Sequence, residues 1–390
     1  MKTYVSIGAV ICLLLSILSS PCTWGSSPPI PGQLLPRFDI PAPQTKADAQ
    51  YLGVEAKDRF WVGEINAPLV IIEIFSMYCP FCQREAPRVN QLYNKIESNP
   101  ELKGKIKILG IGVGNTPFEV NFFKKKFKVP FPMFPDKDFS IHKTLGEVRT
   151  PYFIVVSNLP DRCPEVVYSK LGRIKDFDAF VKQITEKLRP KSGKKLGAFL
   201  LNLLPYRQAQ CFAQTHSLAF KDEIYNPGQL KPRDSVLKVK VGDKAPDFTL
   251  PSLWGKKISL HQFWGKKNVV LSFVPAAWTP VCSDQWPGYN LAKEIFDQYN
   301  AILLGISVDN IPTLYAWTRQ MGNLWFPVLS DFWPHGKVAS LYGILRSDGM
   351  AERALFVIDK QGIIRYIDIH DINKRPLLDD LVQALQKLEK

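Results

Sequence analysis

Leu69-Val70-Ile71-Ile72-Glu73-Ile74-Phe75-Ser76-Met77-Tyr78-Cys79-Pro80-Phe81-Cys82 is the stretch on which the fold turns. Leu69 to Phe75 is an apolar run broken only by Glu73, which suits one buried strand. Residues 80 to 97 then carry apolar side chains at helical spacing, at Phe81, Ala86, Val89, Tyr93 and Ile96. A strand therefore hands over to a helix at a Cys-x-x-Cys pair. A sulfur at a helix N-terminus meets unpaired N–H groups and the positive end of the dipole, which favour its thiolate. Pro80 suits the first helical position, where its missing N–H would have no partner. The pair reads as a redox dithiol. A structural disulfide is the alternative, and zinc would need further Cys or His at ligand spacing, which are not nearby.

Outward from this junction the alternation continues. Strands are expected at Ile106–Val113, Tyr152–Val156 and Val166–Ser169, and an amphipathic helix at Phe177–Leu188. It then restarts after a basic stretch. Strand Val269–Val274 leads into a helix from Cys282 to Tyr299, followed by strand Ala301–Val308 and a helix from Pro312. Strands Ala354–Asp359 and Ile363–Ile367 and helix Arg375–Leu388 complete the chain's pattern. Such alternation implies an α/β layer architecture, in two versions of one fold joined by a basic linker. Both halves place a cysteine where the first long strand meets a helix.

In the second half that cysteine lies in Phe273-Val274-Pro275-Ala276-Ala277-Trp278-Thr279-Pro280-Val281-Cys282, which contains Pro-x-x-x-Thr-x-x-Cys. A thiolate at a helix start gains from the dipole. Thr279, one turn earlier, offers a hydroxyl to hold a peroxide oxygen, and Pro275 can wall the thiolate from water. Taken alone, a single Cys at a strand end is as often a small buried hydrophobe.

Two resemblances sharpen these readings, and together they imply two thioredoxin-fold domains, each a central mixed β-sheet flanked by helices. Residues 55 to 188 resemble the thioredoxin superfamily: Glu73 falls where its members keep a buried acid that takes a proton from the second cysteine. Pro87 matches a helix-kinking proline, and Thr150-Pro151 the cis-proline that faces the dithiol. The resemblance implies Cys79 as attacking thiolate and Cys82 as resolving thiol; Tyr78 stands in place of the usual Trp. An outward-facing strand residue is the plain alternative for Glu73. Residues 238 to 390 resemble the peroxiredoxins, through the motif ending at Cys282, the opening Val241-Gly242-Asp243-Lys244-Ala245-Pro246-Asp247-Phe248 and Gly305-Ile306-Ser307-Val308-Asp309. The resemblance implies that Arg353, just before Ala354, holds the thiolate and polarises the peroxide; a surface arginine is the alternative. It also places Trp317 near the site and Gln285 where many members carry an acid. No cysteine follows Cys282, so this half resembles the one-cysteine type.

The remaining features bound the function. Of 390 residues, 46% are hydrophobic and 22% charged, as in globular proteins, and the length suits two domains. Lys2, the apolar run Ile7–Leu18 and Ser19-Ser20-Pro21 read as a signal peptide over residues 1–25, too short for a membrane span. Lipidation at Cys22 is a minor alternative. Export to the periplasm or beyond is therefore expected. Residues 26–54 read as a Pro-rich flexible leader. Part of the net charge of +14 lies in one block, the linker 189–237: residues 187–237 hold nine Lys or Arg against three acids, a solvated linker or an anionic-membrane contact near Leu196–Leu204. Nucleic acid is not expected, nor a nucleotide cofactor, since no Gly-rich loop follows a strand. The histidines (His142, His216, His261, His335 and His370) show no metal-ligand spacing, so no metal is expected. Cys163 and Cys211 either bridge or stay apart.

Together these readings imply an exported thiol peroxidase: Cys282 reduces peroxide, and Cys79 with Cys82 act as its internal reductant. An external thiol donor, such as a membrane thiol transporter, then recharges the dithiol, and an oligomer is compatible with this. A disulfide reductase for client proteins and a redox sensor are the rival readings.

Overall fold

A computed structural model describes residues 27–55, 57–159, 163–186, 227–279 and 281–389. The signal-peptide reading, Cys211 and most of the basic linker lie outside the described residues. In the first half the elements run β1 (Ile40–Pro41), α1 (Lys46–Leu52), β2 (Arg59–Phe60), β3 (Leu69–Phe75), α2 (Pro80–Ser98), β4 (Ile106–Val113), α3 (Pro117–Phe127), β5 (Met133–Asp136), α4 (Ser140–Thr144), β6 (Tyr152–Ser157), β7 (Glu165–Leu171) and α5 (Phe177–Glu186). The second half follows as β8 (Thr249–Pro251), β9 (Lys257–Ser259), β10 (Asn268–Phe273), α6 (Cys282–Leu291), α7 (Lys293–Gln298), β11 (Ala301–Ser307) and α8 (Ile311–Met321). It closes with β12 (Val328–Ser330), α9 (Lys337–Tyr342), β13 (Ala354–Ile358), β14 (Ile364–Ile369) and α10 (Leu378–Gln386).

The two main sheets share one topology. Their strand orders are β5-β4-β3-β6-β7 and β12-β11-β10-β13-β14. In each, the central strand pairs in parallel with the strand that follows its helix and antiparallel on its other side. Every residue of β3 and β10 is buried. A strand covered on both faces needs apolar side chains at consecutive positions, which is why both read as unbroken runs.

The leader departs from expectation. Instead of a flexible tail, residues 27–54 wrap the first domain, with Leu35, Ile40 and Leu52 fully buried. Gly32 and Leu35 N–H donate to Val166 and Pro164 carbonyls at 2.8 Å, so this segment covers the free edge of β7. Thr45 caps α1 through the Asp48 N–H, and Gly53 ends it at φ 67°. The expected long helix after Cys282 is also divided, with Ala292 closing α6 and opening α7.

The two halves are packed together. One buried apolar cluster runs through both, from Met77, Tyr78 and Cys79 to Cys282, Trp286 and Tyr289. A Cβ added to Gly288 would lie 1.9 Å from the Tyr78 ring, so only glycine lets α6 approach this closely. Gln83 Nε2 donates to the Pro287 carbonyl at 3.2 Å, and Thr116 Oγ1 to Asp379 at 2.7 Å.

Candidate functional site

The first site forms where β3 ends. Cys79 is the N-cap of α2, with Pro80 in its first turn, and Cys82 follows inside the helix. Cys79 is 7% exposed and Cys82 not at all. A hydrogen bond from Cys82 holds the Cys79 thiol below its ordinary range, while burial pushes Cys82 well above its own. This asymmetry suits an attacking thiolate and a second thiol that keeps its proton. The Cys79 sulfur also lies 3.3 Å from the Thr150 carbonyl, and the Thr150–Pro151 bond is cis, as the resemblance implied. Phe81, between the cysteines, is 60% exposed.

Glu73 is not an outward-facing residue. Alternation along β3 places it on the face of Ile71 and Phe75, which pack in the same cluster as Cys82. It is buried, and its Oε1 has no hydrogen-bond partner. Burial, with the Glu85 carboxylate second, raises its pKa from the ordinary 4.5 to about 8. Glu85 is itself held by Arg173 at 3.1 Å and Arg88 at 3.6 Å. Glu73 therefore holds its proton at neutral pH and titrates where thiol chemistry needs an acceptor.

The second site forms where β10 ends. Cys282 opens α6 and is fully buried. Arg353, at 1% exposure, is no surface arginine: its Nη2 donates to the Cys282 sulfur at 3.3 Å. Its Nη1 donates to Gln285 Oε1 at 2.7 Å, and its Nε and Nη2 to the Ile372 carbonyl at 3.3 and 3.1 Å. These oxygen acceptors are neutral, so a thiolate at Cys282 is the bonded group that would neutralise the guanidinium. Gln285 thus receives Arg353 without cancelling its charge. Ser272 in β10 fixes this side by accepting from Gln285 Nε2 and Trp286 Nε1, both at 3.2 Å.

Thr279 and Pro275 line a cavity of 210 Å³ together with Arg353. The Thr279 hydroxyl donates to the Ala276 carbonyl at 3.0 Å, which leaves its lone pairs for a second donor. Asp309 ties the loop down by accepting from Ala277 N–H at 2.8 Å and Ser307 Oγ at 2.5 Å. Trp317 Nε1 donates to Ser283 Oγ at 3.2 Å on the other side of the helix start. Pro275 and Thr279 of the motif thus share this cavity with Arg353, which stands just before β13 and bonds the motif's Cys282.

Between the sites lies a set of residues that sequence reading missed. The Arg375 guanidinium stands 3.4 Å over the Tyr78 ring and donates to the Gly114 carbonyl at 2.6 Å. Tyr78 OH donates to Glu119, whose Oε1 also accepts from Leu378 N–H at 3.1 Å. Asp284, on α6, is within electrostatic reach of Cys79, Arg353 and Arg375. Burial raises its pKa above the ordinary carboxylate value, although both arginines oppose this. Arg375 lies 93 positions beyond Cys282 and belongs to no motif, so only the fold reveals it. Cys163 is described but Cys211 is not, so their pairing lies outside the described residues. Among the described residues no group of His, Cys, Asp or Glu is arranged to hold a metal ion.

Both halves of the chain are similar to known proteins. The profile of the AhpC/TSA family matches residues 33–169 and again 241–367. Alkyl hydroperoxide reductase E of Mycobacterium tuberculosis is 37% identical over 151 residues, covering 38% of this chain and 98% of that protein. The chloroplastic 2-cysteine peroxiredoxin of Chattonella marina var. antiqua is 32% identical over 162 residues, 39% of this chain and 82% of the relative. Among solved structures, reduced Plasmodium vivax 2-Cys peroxiredoxin matches with TM-score 0.37 at 28% identity, covering 38% of this chain and 81% of that one.

Proposed function

The chain belongs to the AhpC/TSA family and is a thiol-dependent peroxidase, and from that premise we propose that Cys282 attacks the peroxide while Cys79 and Cys82 reduce it from within the same chain. The Cys282 thiolate attacks one oxygen of ROOH. An S–O bond forms, the O–O bond breaks, and the alkoxide leaves as alcohol after taking a proton, so sulfur loses the two electrons that the peroxide gains. The Arg353 bond to the sulfur places a cation where charge moves from sulfur to the leaving oxygen.

Cys79 thiolate then attacks the sulfenic sulfur of Cys282. The S–O bond breaks, and hydroxide leaves as water with one proton. In the fraction of molecules whose Glu73 is ionised, which grows as pH approaches 8, the carboxylate takes the Cys82 proton. The Cys82 sulfur then attacks the Cys79 sulfur, the Cys79–Cys282 bond breaks and the Cys282 thiolate is freed. The observation that carries the relay is the seating of α6 on Tyr78, the residue before Cys79, through Gly288. Cys79 and Cys282 belong to the same buried apolar cluster, which runs through this contact. Phe81 supports an external thiol donor by offering an exposed aromatic face beside Cys79.

Lys2 and the Ile7–Leu18 run support an exported chain, periplasmic or secreted, with a membrane thiol transporter as the donor's class. No described helix is long and apolar enough to cross a membrane. The test is Cys82→Ser, oxidised with one equivalent of peroxide and digested without reduction. Mass spectrometry should find a Cys79–Cys282 peptide pair. A stable Cys282 sulfenic acid beside free Cys79 sinks the relay.

A further inference from the structure

The cavity beside Cys282 is not built by the second domain alone. Pro227, Gly228, Gln229 and Leu230, from the end of the linker, form part of its wall. We propose that this segment is a specificity wall that receives the organic group of ROOH, with Leu230 as its principal contact. The inference rests on the peroxidase reading of Cys282.

The segment is strapped down by named bonds. Leu230 N–H donates to Asn373 Oδ1 at 2.9 Å, and Asn373 Nδ2 returns a bond to the Leu230 carbonyl at 2.8 Å. Asn373 is itself oriented by Asp371 Oδ1, at 2.9 Å from its Nδ2. Ile372 N–H donates to the Pro232 carbonyl at 3.2 Å. Further along, Arg346 Nη1 reaches the Lys231 carbonyl at 3.1 Å, and Asp234 N–H reaches Glu352 at 2.6 Å. Arg346 and Glu352 are buried and paired at 2.9 Å, which explains an ion pair that the peroxide chemistry does not use. Its two members fasten the strap.

One dipeptide joins the strap to the chemistry. The Ile372 carbonyl accepts from Arg353, while the Ile372 N–H and the Asn373 side chain hold the strap. Residues outside the sheet are thereby registered against the arginine that bonds the reacting sulfur. Around them, Leu230, Pro227, Val281, Met350 and Ile372 give the cavity an apolar lining, and Arg353 marks its reacting end. An apolar cavity of about 150 Å³ accommodates benzene. The 210 Å³ here therefore exceeds what hydrogen peroxide fills and suits a compact branched or aromatic group.

The experiment uses the full chain, reduced beforehand, with Cys282 oxidation followed by stopped-flow tryptophan fluorescence. Second-order rate constants are measured for cumene hydroperoxide and for hydrogen peroxide, and their ratio is compared between the parent, Leu230→Ala and Leu230→Phe. Loss or misfit of an apolar contact in a substrate pocket costs about tenfold or more in discrimination. Leu230→Ala removes the contact and Leu230→Phe fills the space, so each should lower the cumene-to-hydrogen-peroxide ratio about tenfold. Because both peroxides are read in the same sample, a partly folded variant does not alter the ratio. A ratio within twofold of the parent's in both variants overturns the wall and leaves the peroxidase reading standing. A parent that consumes neither peroxide overturns the peroxidase reading and the wall with it.

Discussion

Replacing Glu73 by Gln should make the protein less sensitive to alkaline pH, by an amount that follows from the burial of this carboxyl. In the folded chain its pKa stands at about 8 against an ordinary 4.5. Between those values the native state keeps a proton that the unfolded chain has released. Stability must then fall as pH rises, because the native state binds more protons than the unfolded one. Each pH unit between them costs about 1.36 kcal/mol. From pH 4.5 to 7 the loss is about 3 kcal/mol, and by pH 8, where the native carboxyl is half ionised, about 4 kcal/mol. Gln is close in shape to the protonated carboxyl and does not titrate. The variant should match the parent near pH 4.5 and exceed it by several kcal/mol at pH 9. Urea unfolding followed by circular dichroism of the prereduced chain across that range measures the difference, and its pH slope isolates this one group. Parallel stability curves for parent and variant would refute the reasoning, since they would mean that Glu73 is ionised and solvated in the native state.

Removing the site arginine and disturbing the interface have separate signatures. Arg353→Ala deletes the donor to the Cys282 sulfur, and loss of one such donor in a dry site costs about a hundredfold or more in rate. Stopped-flow oxidation of Cys282 in a folded variant measures it, and an unchanged rate constant removes Arg353 from the mechanism. Gly288→Ala drives a methyl into the Tyr78 ring and should destabilise the packed halves by about 1–3 kcal/mol. Formation of the Cys79–Cys282 disulfide should slow while sulfenic acid formation continues; an unslowed disulfide would detach the relay from this contact.

The sequence by itself determined the two chemical centres. Strand Leu69–Phe75 and its counterpart ending at Phe273 are unbroken apolar runs because both faces of a central strand are covered, and each delivers its cysteine to a helix start. The thiolate advantage of that position is local physics and is legible from a dozen residues. Burial of Glu73 and Arg353 is legible only through the resemblances, because by residue type alone a charged side chain reads as exposed until the surfaces that cover it are known. Residues 27–54 read as a tail for a similar reason: their proline content describes the backbone, whereas their place on the β7 edge depends on a strand more than a hundred residues away. Tertiary structure alone decided that Tyr78 seats on Gly288 and that the end of the linker walls the cavity beside Arg353. Periodicity reports which residues share an element, whereas these contacts join residues from different elements, and only packing brings them within bonding distance.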